Sequence, residues 1–151
     1  HLMVQNPISE IEKWYNFPNL KRIIFHLETT KIPSSSIEHI EAYGYQAGVA
    51  VNPETTLEQI GGVGYQADSI FFLSVPPGKQ GQKFMPEVLE KLKLFKEKHP
   101  NTAVGIDGGI HLEELNLIKN LDIDYVIMGS EIFSHPDPTN HLKELQELIK
   151  S

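Results

Sequence analysis

Six short apolar runs, each followed by a segment with helical spacing, alternate through the whole chain at roughly 25 residues per unit. The runs are Leu2 to Val4, Arg22 to Leu27, Ala47 to Val51, Ser69 to Val75, Ala103 to Ile106 and Tyr125 to Met128. Between and after them, Ile8, Ile11 and Trp14 fall on one helical face, as do Ile37, Ile40 and Tyr43, while Val88, Leu89, Leu92 and Phe95, then Leu112, Leu115 and Ile118, then Leu142, Leu145 and Leu148 mark further helices. A further short helix runs through Ile60, capped by Thr55 or Thr56. Pro7 suits a first helical turn, the serines Ser34 to Ser36 offer an N-cap, and Gly44 stops the helix that follows. Strict alternation with uniformly apolar strands predicts an α/β fold, a parallel sheet covered by helices. Six units suit an open doubly wound sheet, or part of a closed (β/α)8 barrel, which needs eight. Periodicity does not choose between them.

The stretch Val104-Gly105-Ile106-Asp107-Gly108-Gly109-Ile110 is a strand whose tip carries a carboxylate, followed by two glycines that turn the chain toward a helix beginning near His111. Twenty residues on, Tyr125-Val126-Ile127-Met128 opens onto Gly129-Ser130. Either tip alone reads equally as a helix cap with turn glycines. Two consecutive tips of this kind point to the phosphate site that (β/α) barrels build after their last two strands.

A chain of 151 residues buries one core, and residues 1–151 read as a single domain. A net charge of −7 argues against nucleic acid and anionic membranes as partners, and leaves room for a small phosphorylated ligand held by backbone amides. The absence of cysteine rules out disulfides and thiolate metal sites and points to a cytoplasmic location. No apolar run approaches a membrane span, and no signal peptide is visible. The chain begins on an apolar, strand-like His1-Leu2-Met3-Val4, which reads either as a cloning scar or as the inside of a domain.

The motifs, in order, resemble the ribulose-phosphate 3-epimerase family. Ser69-Ile70-Phe71-Phe72-Leu73-Ser74-Val75-Pro76-Pro77-Gly78-Lys79-Gln80-Gly81-Gln82 is similar to that family's sixth strand and loop, which reads Met-Ser-Val-Asn-Pro-Gly-Phe-Gly-Gly-Gln. Ile106-Asp107-Gly108-Gly109-Ile110 resembles the seventh strand, and Met128-Gly129-Ser130-Glu131-Ile132-Phe133 the eighth. His1-Leu2-Met3 is similar to the third strand, Phe25-His26-Leu27-Glu28 to the fourth and Gly48-Val49-Ala50-Val51-Asn52-Pro53 to the fifth.

The resemblance implies a TIM (β/α)8 barrel of which about six βα units are present, lacking the first two. It implies an isomerase that interconverts ribulose 5-phosphate and xylulose 5-phosphate through an enediolate, in the pentose phosphate pathway. Asp107 would be one acid/base and, with His1, a ligand of a divalent metal ion (Zn, Fe, Mn or Co). His1 and Met3 would touch the sugar. Gly78, Lys79, Gln80, Gly81, Gly108, Gly109, Gly129 and Ser130 would bind its phosphate. The second acid/base and a further metal histidine belong to the second strand, so residues 1–151 alone are expected to bind ketose phosphates without epimerising them. Unpaired edges at the first and last runs predict a homo-oligomer.

The loop departs from the family pattern: Pro76 stands for asparagine, Lys79 for phenylalanine and Gln80 for glycine, while Leu73 replaces a strand-tip methionine. Proline donates no N–H and glutamine resists positive φ, which bears on substrate identity more than on fold. The alternatives are an epimerase for another ketose phosphate, or a non-catalytic phosphosugar-binding or assembly protein on a degenerate barrel. Among the other histidines, His26 reads as a structural or site-lining residue, and His39, His99, His111, His135 and His141 read as surface residues.

Overall fold

The computed structural model describes residues 1–78 and 81–150, and in it five strands lie side by side, all parallel and in chain order. They are β1 (Arg22–His26), β2 (Gln46–Val51), β3 (Ser69–Leu73), β4 (Ala103–Asp107) and β5 (Tyr125–Ile127). A doubly wound sheet would reverse its order midway, and this one does not; the progression is that of a barrel wall. The first apolar run contributes only a bridge, Leu2 beside Phe25, with the Leu2 amide donating to the Ile24 carbonyl at 2.8 Å. Asn6 and Pro7 turn the chain too soon for a longer ladder, so five strands and a bridge stand where six strands were expected.

Helices follow the strands as the spacing predicts. The chain opens with α1 (Pro7–Ile11), and α2 (Pro33–Ala42) follows β1; α3 (Leu57–Ile60) and α4 (Val63–Gln66) follow β2. After β3 comes α5 (Glu87–Lys98), after β4 α6 (Leu112–Ile118), and after β5 α7 (Ser130–Phe133) and α8 (Pro138–Lys150). Three local expectations fail for physical reasons. Beyond Ile11 the first helix tightens into a 3-10 turn at Glu12–Trp14, which swings Trp14 off the buried face and leaves it 40% exposed. Pro33 fixes the first helical position of α2, so Ile32 is its N-cap and the serines lie inside its first turn. His99, expected at the surface, is buried at the end of α5, where its ring stacks on Phe95 at 4.3 Å and meets Tyr65 at 4.2 Å.

Alternation along the strands separates two faces. Ile23, Phe25, Val49, Val51, Ile70, Phe72, Val104 and Ile106 form the core with Ile40, Leu92, Phe95, Leu115 and Ile118 of the helices. Each such side chain contributes about 1.5–3 kcal/mol by leaving water. The opposite face carries Gly48, Ala50 and Gly105, and the Phe71 ring lies so close over Gly105 that a Cβ there would sit 2.3 Å from it. At the N-terminal base, two aspartates hold the strands together. Asp68 accepts the Ala47 amide at 2.7 Å and Asp124 accepts the Val104 amide at 2.7 Å.

Candidate active site

The C-terminal tip of β4 is fixed from below. Ser74, fully buried just after β3, donates its backbone amide to the Asp107 carbonyl at 2.8 Å and its hydroxyl to the Gly108 carbonyl at 2.6 Å. Gly108 and Gly109 then turn with φ of +119° and +62°. A Cβ on Gly108 would meet Val75 at 2.6 Å, and one on Gly109 the Gln82 carbonyl at 2.8 Å, so backbone alone fits between the loops after β3 and β4.

A cleft of about 720 Å³ opens over this turn. Met3, Leu73, Gly78, Gly81, Asp107, Gly108, Gly109, Gly129 and Ser130 all line it, which brings together most of the residues singled out from the sequence. Lys79 and Gln80 lie outside the described residues. Asp107 is the single ionisable side chain among the described lining residues.

Around Asp107 the polar groups form a chain. His1 Nδ1 lies 3.5 Å from Asp107 Oδ2, and His1 Nε2 lies 2.9 Å from His26 Nε2, with the two rings stacked at 4.9 Å. His26 Nδ1 faces Glu28 Oε2 at 3.8 Å. Glu28 Oε1 accepts the Asn52 amide at 2.8 Å and the Thr55 hydroxyl. Lys91 of α5 secures that loop by donating to the carbonyls of Asn52, Pro53 and Thr55 at 2.7–3.0 Å. Burial pushes the Asp107 carboxyl above its ordinary pKa, and neighbouring His26 offsets this only in part. Burial lowers His26 against the pull of Glu28, Asn52 and Asp107. His26 is thus a buried, hydrogen-bonded histidine that does not line the cleft, the structural of the two roles its sequence allowed.

Among the described residues no three histidine, aspartate or glutamate side chains are arranged to hold a metal ion. His1 Nδ1 and Asp107 Oδ2 are two adjacent donors of suitable chemistry, and two do not make a site.

Sequence reasoning passed over a second cluster behind the cleft. Glu131 of α7 takes His111 Nδ1 at 2.7 Å on one oxygen and His141 Nε2 of α8 at 2.9 Å on the other. His111 is exposed as expected; His141, expected at the surface, keeps only 13% of its side chain accessible because Glu131, Glu144 and the His135 ring surround it. Ser74 and Lys91 were also passed over, since a lone serine and a helical lysine carry no local signal.

The description "Ribulose-phosphate 3 epimerase family" belongs to the family model that matches residues 1–133. The chain is 34% identical to the ribulose-phosphate 3-epimerase of Aquifex aeolicus, covering all of this chain and 69% of that protein. With the enzyme of that name from Methanocaldococcus jannaschii it shares 32% identity, covering 97% and 63%. With the one from Candida glabrata it shares 28%, covering 99% and 61%. Among solved structures, the crystal structure of KGPDC from Streptococcus mutans, a TIM barrel, matches with a TM-score of 0.66 at 18% identity, over 85% of this chain and 60% of that one. The chain spans 61–69% of the length of these three curated relatives.

Proposed function

The chain belongs to the ribulose-phosphate 3-epimerase family, and we propose that it carries the phosphate cup and one of the two acid/base groups of an isomerase that inverts C3 of a ketose phosphate, D-ribulose 5-phosphate to D-xylulose 5-phosphate. The observation that carries this reading is the convergence, on one cleft, of a burial-perturbed carboxylate with three glycine-bearing loops from consecutive strand tips. In the reaction Asp107 takes the C3 proton, and the C–H electron pair enters the C2–C3 double bond of an enediolate. A proton returned to the other face completes the inversion. A carboxylate raised toward neutrality is better suited to accept a carbon-bound proton than an ordinary one. Backbone amides at Gly78, Gly81, Gly108, Gly109, Gly129 and Ser130 would hold the phosphate, with Lys79 and Gln80 from the same loop, while Met3 and His1 border the sugar.

Residues 1–151 are read as one domain, the third to eighth units of the barrel. The second acid/base is assigned to the units outside this sequence, since no other ionisable side chain lines the cleft among the described residues. A divalent ion would take His1 and Asp107 as two of its ligands, with the rest from units outside this sequence, and would stabilise negative charge on the enediolate oxygens as a Lewis acid. A soluble, cytoplasmic homo-oligomer fits this reading; among the described residues no helix is long and apolar enough to cross a membrane.

Calorimetric titration with ribulose 5-phosphate, alongside NMR detection of solvent deuterium at C3, tests the proposal. Residues 1–151 should bind and should not exchange. Failure to bind would remove the phosphate cup. Exchange at an enzymatic rate would place the second base within these residues.

A further inference from the structure

We propose that Gln82 is a positioning residue for the phosphate cup: its side-chain amide ties together the two ends of the loop after β3, and its backbone seats that loop on the Gly108–Gly109 turn. The inference rests on the proposed reading of Gly78, Gly81, Gly108 and Gly109 as phosphate donors. Gln82 Nε2 donates to the Pro76 carbonyl at 2.5 Å, which closes residues 76–82 into a ring. Within the ring Gly78 and Gly81 take φ of +99° and +70°. Chain neighbours aside, nothing among the described residues lies within 4 Å of a Cβ built on either. Packing therefore does not restrict them, and glycine is the residue with the most backbone freedom to lose. Amides that must converge on one anion bind it better when that freedom is removed beforehand. The ends of the loop supply the restraint. Pro76 and Pro77 fix φ near about −65° at its start, and the Gln82 bond joins its end back to that start.

On its other side Gln82 is held by the body of the fold. A Cβ on Gly109 would lie 2.8 Å from the Gln82 carbonyl and 3.0 Å from the Phe84 amide nitrogen, so the two backbones touch. Phe84 is buried, and the Met85 amide donates to the Ser74 carbonyl at 2.9 Å. Ser74 in turn donates its hydroxyl to the Gly108 carbonyl at 2.6 Å. From Gln82 onward the chain is thus locked to the tip of β3 and to the turn after β4. Gln82 stands where that locked stretch meets the glycine-bearing one, and its side chain extends the restraint from the first to the second. Pro76, Gly78, Gly81 and Gln82 line the same cleft as Asp107, so the place this loop gives a phosphate decides where the rest of a sugar lies against the carboxylate. The position requires a side chain that donates to a carbonyl; length and bulk alone do not supply that.

Hydrogen exchange of the Gly78 and Gly81 amides, followed by NMR in the free chain, reads the ring without a ligand, and titration with inorganic phosphate reads the cup. Gln82→Met keeps the length of the side chain and removes its donor. Both amides should then exchange about 2–10-fold faster, the factor that one net hydrogen bond supplies. Inorganic phosphate should bind more weakly by a similar factor, while the thermal melt stays cooperative. Gln82→Lys keeps a donor of sufficient reach, and its Gly78 and Gly81 amides should exchange as the native ones do. Native-like exchange or native-like phosphate affinity in Gln82→Met overturns the proposal, as does equal acceleration in Gln82→Met and Gln82→Lys. A native chain that does not bind phosphate counts against the proposed function itself; native binding matched by Gln82→Met counts against this inference alone.

Discussion

Two aspartates at opposite ends of the same sheet are treated in opposite ways. Asp124, at the base, is also subject to burial, which acts to raise its pKa, yet the Val104 amide at 2.7 Å and the Lys96 ammonium at 3.1 Å outweigh it and hold the carboxyl below its ordinary value. Asp107, at the rim, has no such donor among the described residues; its contact there is His1 at 3.5 Å, and burial leaves its pKa raised. One carboxylate is committed to joining strands. The other is poorly satisfied, a cost that fits its proposed role as a proton acceptor.

Substituting the rim carboxylate tests that contrast most severely. On the proposed reading, Asp107→Asn should lower C3 exchange by about 10²–10⁴-fold in a chain that also carries the second acid/base, the range for loss of an acid/base group. Ribulose 5-phosphate affinity should change little, because the amides of the cup are untouched. The melting midpoint should not fall, since the substitution removes a carboxylate that burial disfavours. In the native chain this group's contribution is greatest below its ordinary pKa of 3.8 and is lost as pH rises through the raised folded value. Asn at this position should remove that dependence. An intact exchange rate in Asp107→Asn would end the distinction between the two aspartates.

The phosphate end offers the next largest effect. Gly129 has φ of −97° and nothing within 4 Å of a Cβ placed on it, so a side chain there is accommodated without strain. Gly129→Asp should fold normally and weaken ribulose 5-phosphate binding by about tenfold or more through charge repulsion, while Gly129→Ala should bind nearly as the native chain does. Equal losses in both, measured by calorimetry, would mean that space rather than charge governs the cup.

The base should respond in stability instead. Asp124→Ala leaves the fully buried Val104 amide without its acceptor, which costs about 1–3 kcal/mol. Thermal melting should show a drop of roughly 2–10 °C, with phosphosugar affinity unchanged. The Asp124 contribution is present above the ordinary carboxylate pKa of 3.8 and fades as pH falls through the lowered folded value, the reverse of Asp107.

Which parts of this were legible in the sequence follows from the distance over which each depends on neighbours. The alternation of runs and the turn Asp107-Gly108-Gly109 are local patterns, and they led to the parallel sheet and to most of the cleft lining. Length was harder: Leu2 to Val4 has the composition of a strand and the room for only a bridge. The support of the rim is non-local. Ser74 acts on a carbonyl 34 residues away, and Lys91 on carbonyls 36 to 39 residues away, with no spacing rule to announce either. His99 and His141 were misplaced at the surface for the same reason, because helical position alone does not say what packs over a ring.

The smallest predicted effect concerns the Glu131 cluster, where rim and helices meet. Hydrogen bonds from His141 and His111 hold Glu131 below its ordinary pKa of 4.5, and the bond to Glu131 raises His141 above its ordinary 6.5. The signs are opposite. Stability from His141 is full below 6.5 and is lost as pH rises through its raised folded value; stability from Glu131 is present above 4.5 and is lost as pH falls through its lowered one. The contact is therefore strongest between those ordinary values. His111 at the start of α6, Glu144 at 3.5 Å from His141 Nδ1, and the stacked His135 ring are the other titratable groups facing it. Solvent access keeps the energy modest. The melting midpoint should decline slightly as pH rises from about 6 to about 8.5, and His141→Gln should flatten that decline. Since α7 begins at Ser130 in the cup, the same titration read by inorganic phosphate binding should weaken in parallel in the native chain and less in His141→Gln. A midpoint that rises with pH over this range would show that the histidines face Glu131 as neutral rings, and the clamp would then contribute nothing that distinguishes the rim from the base.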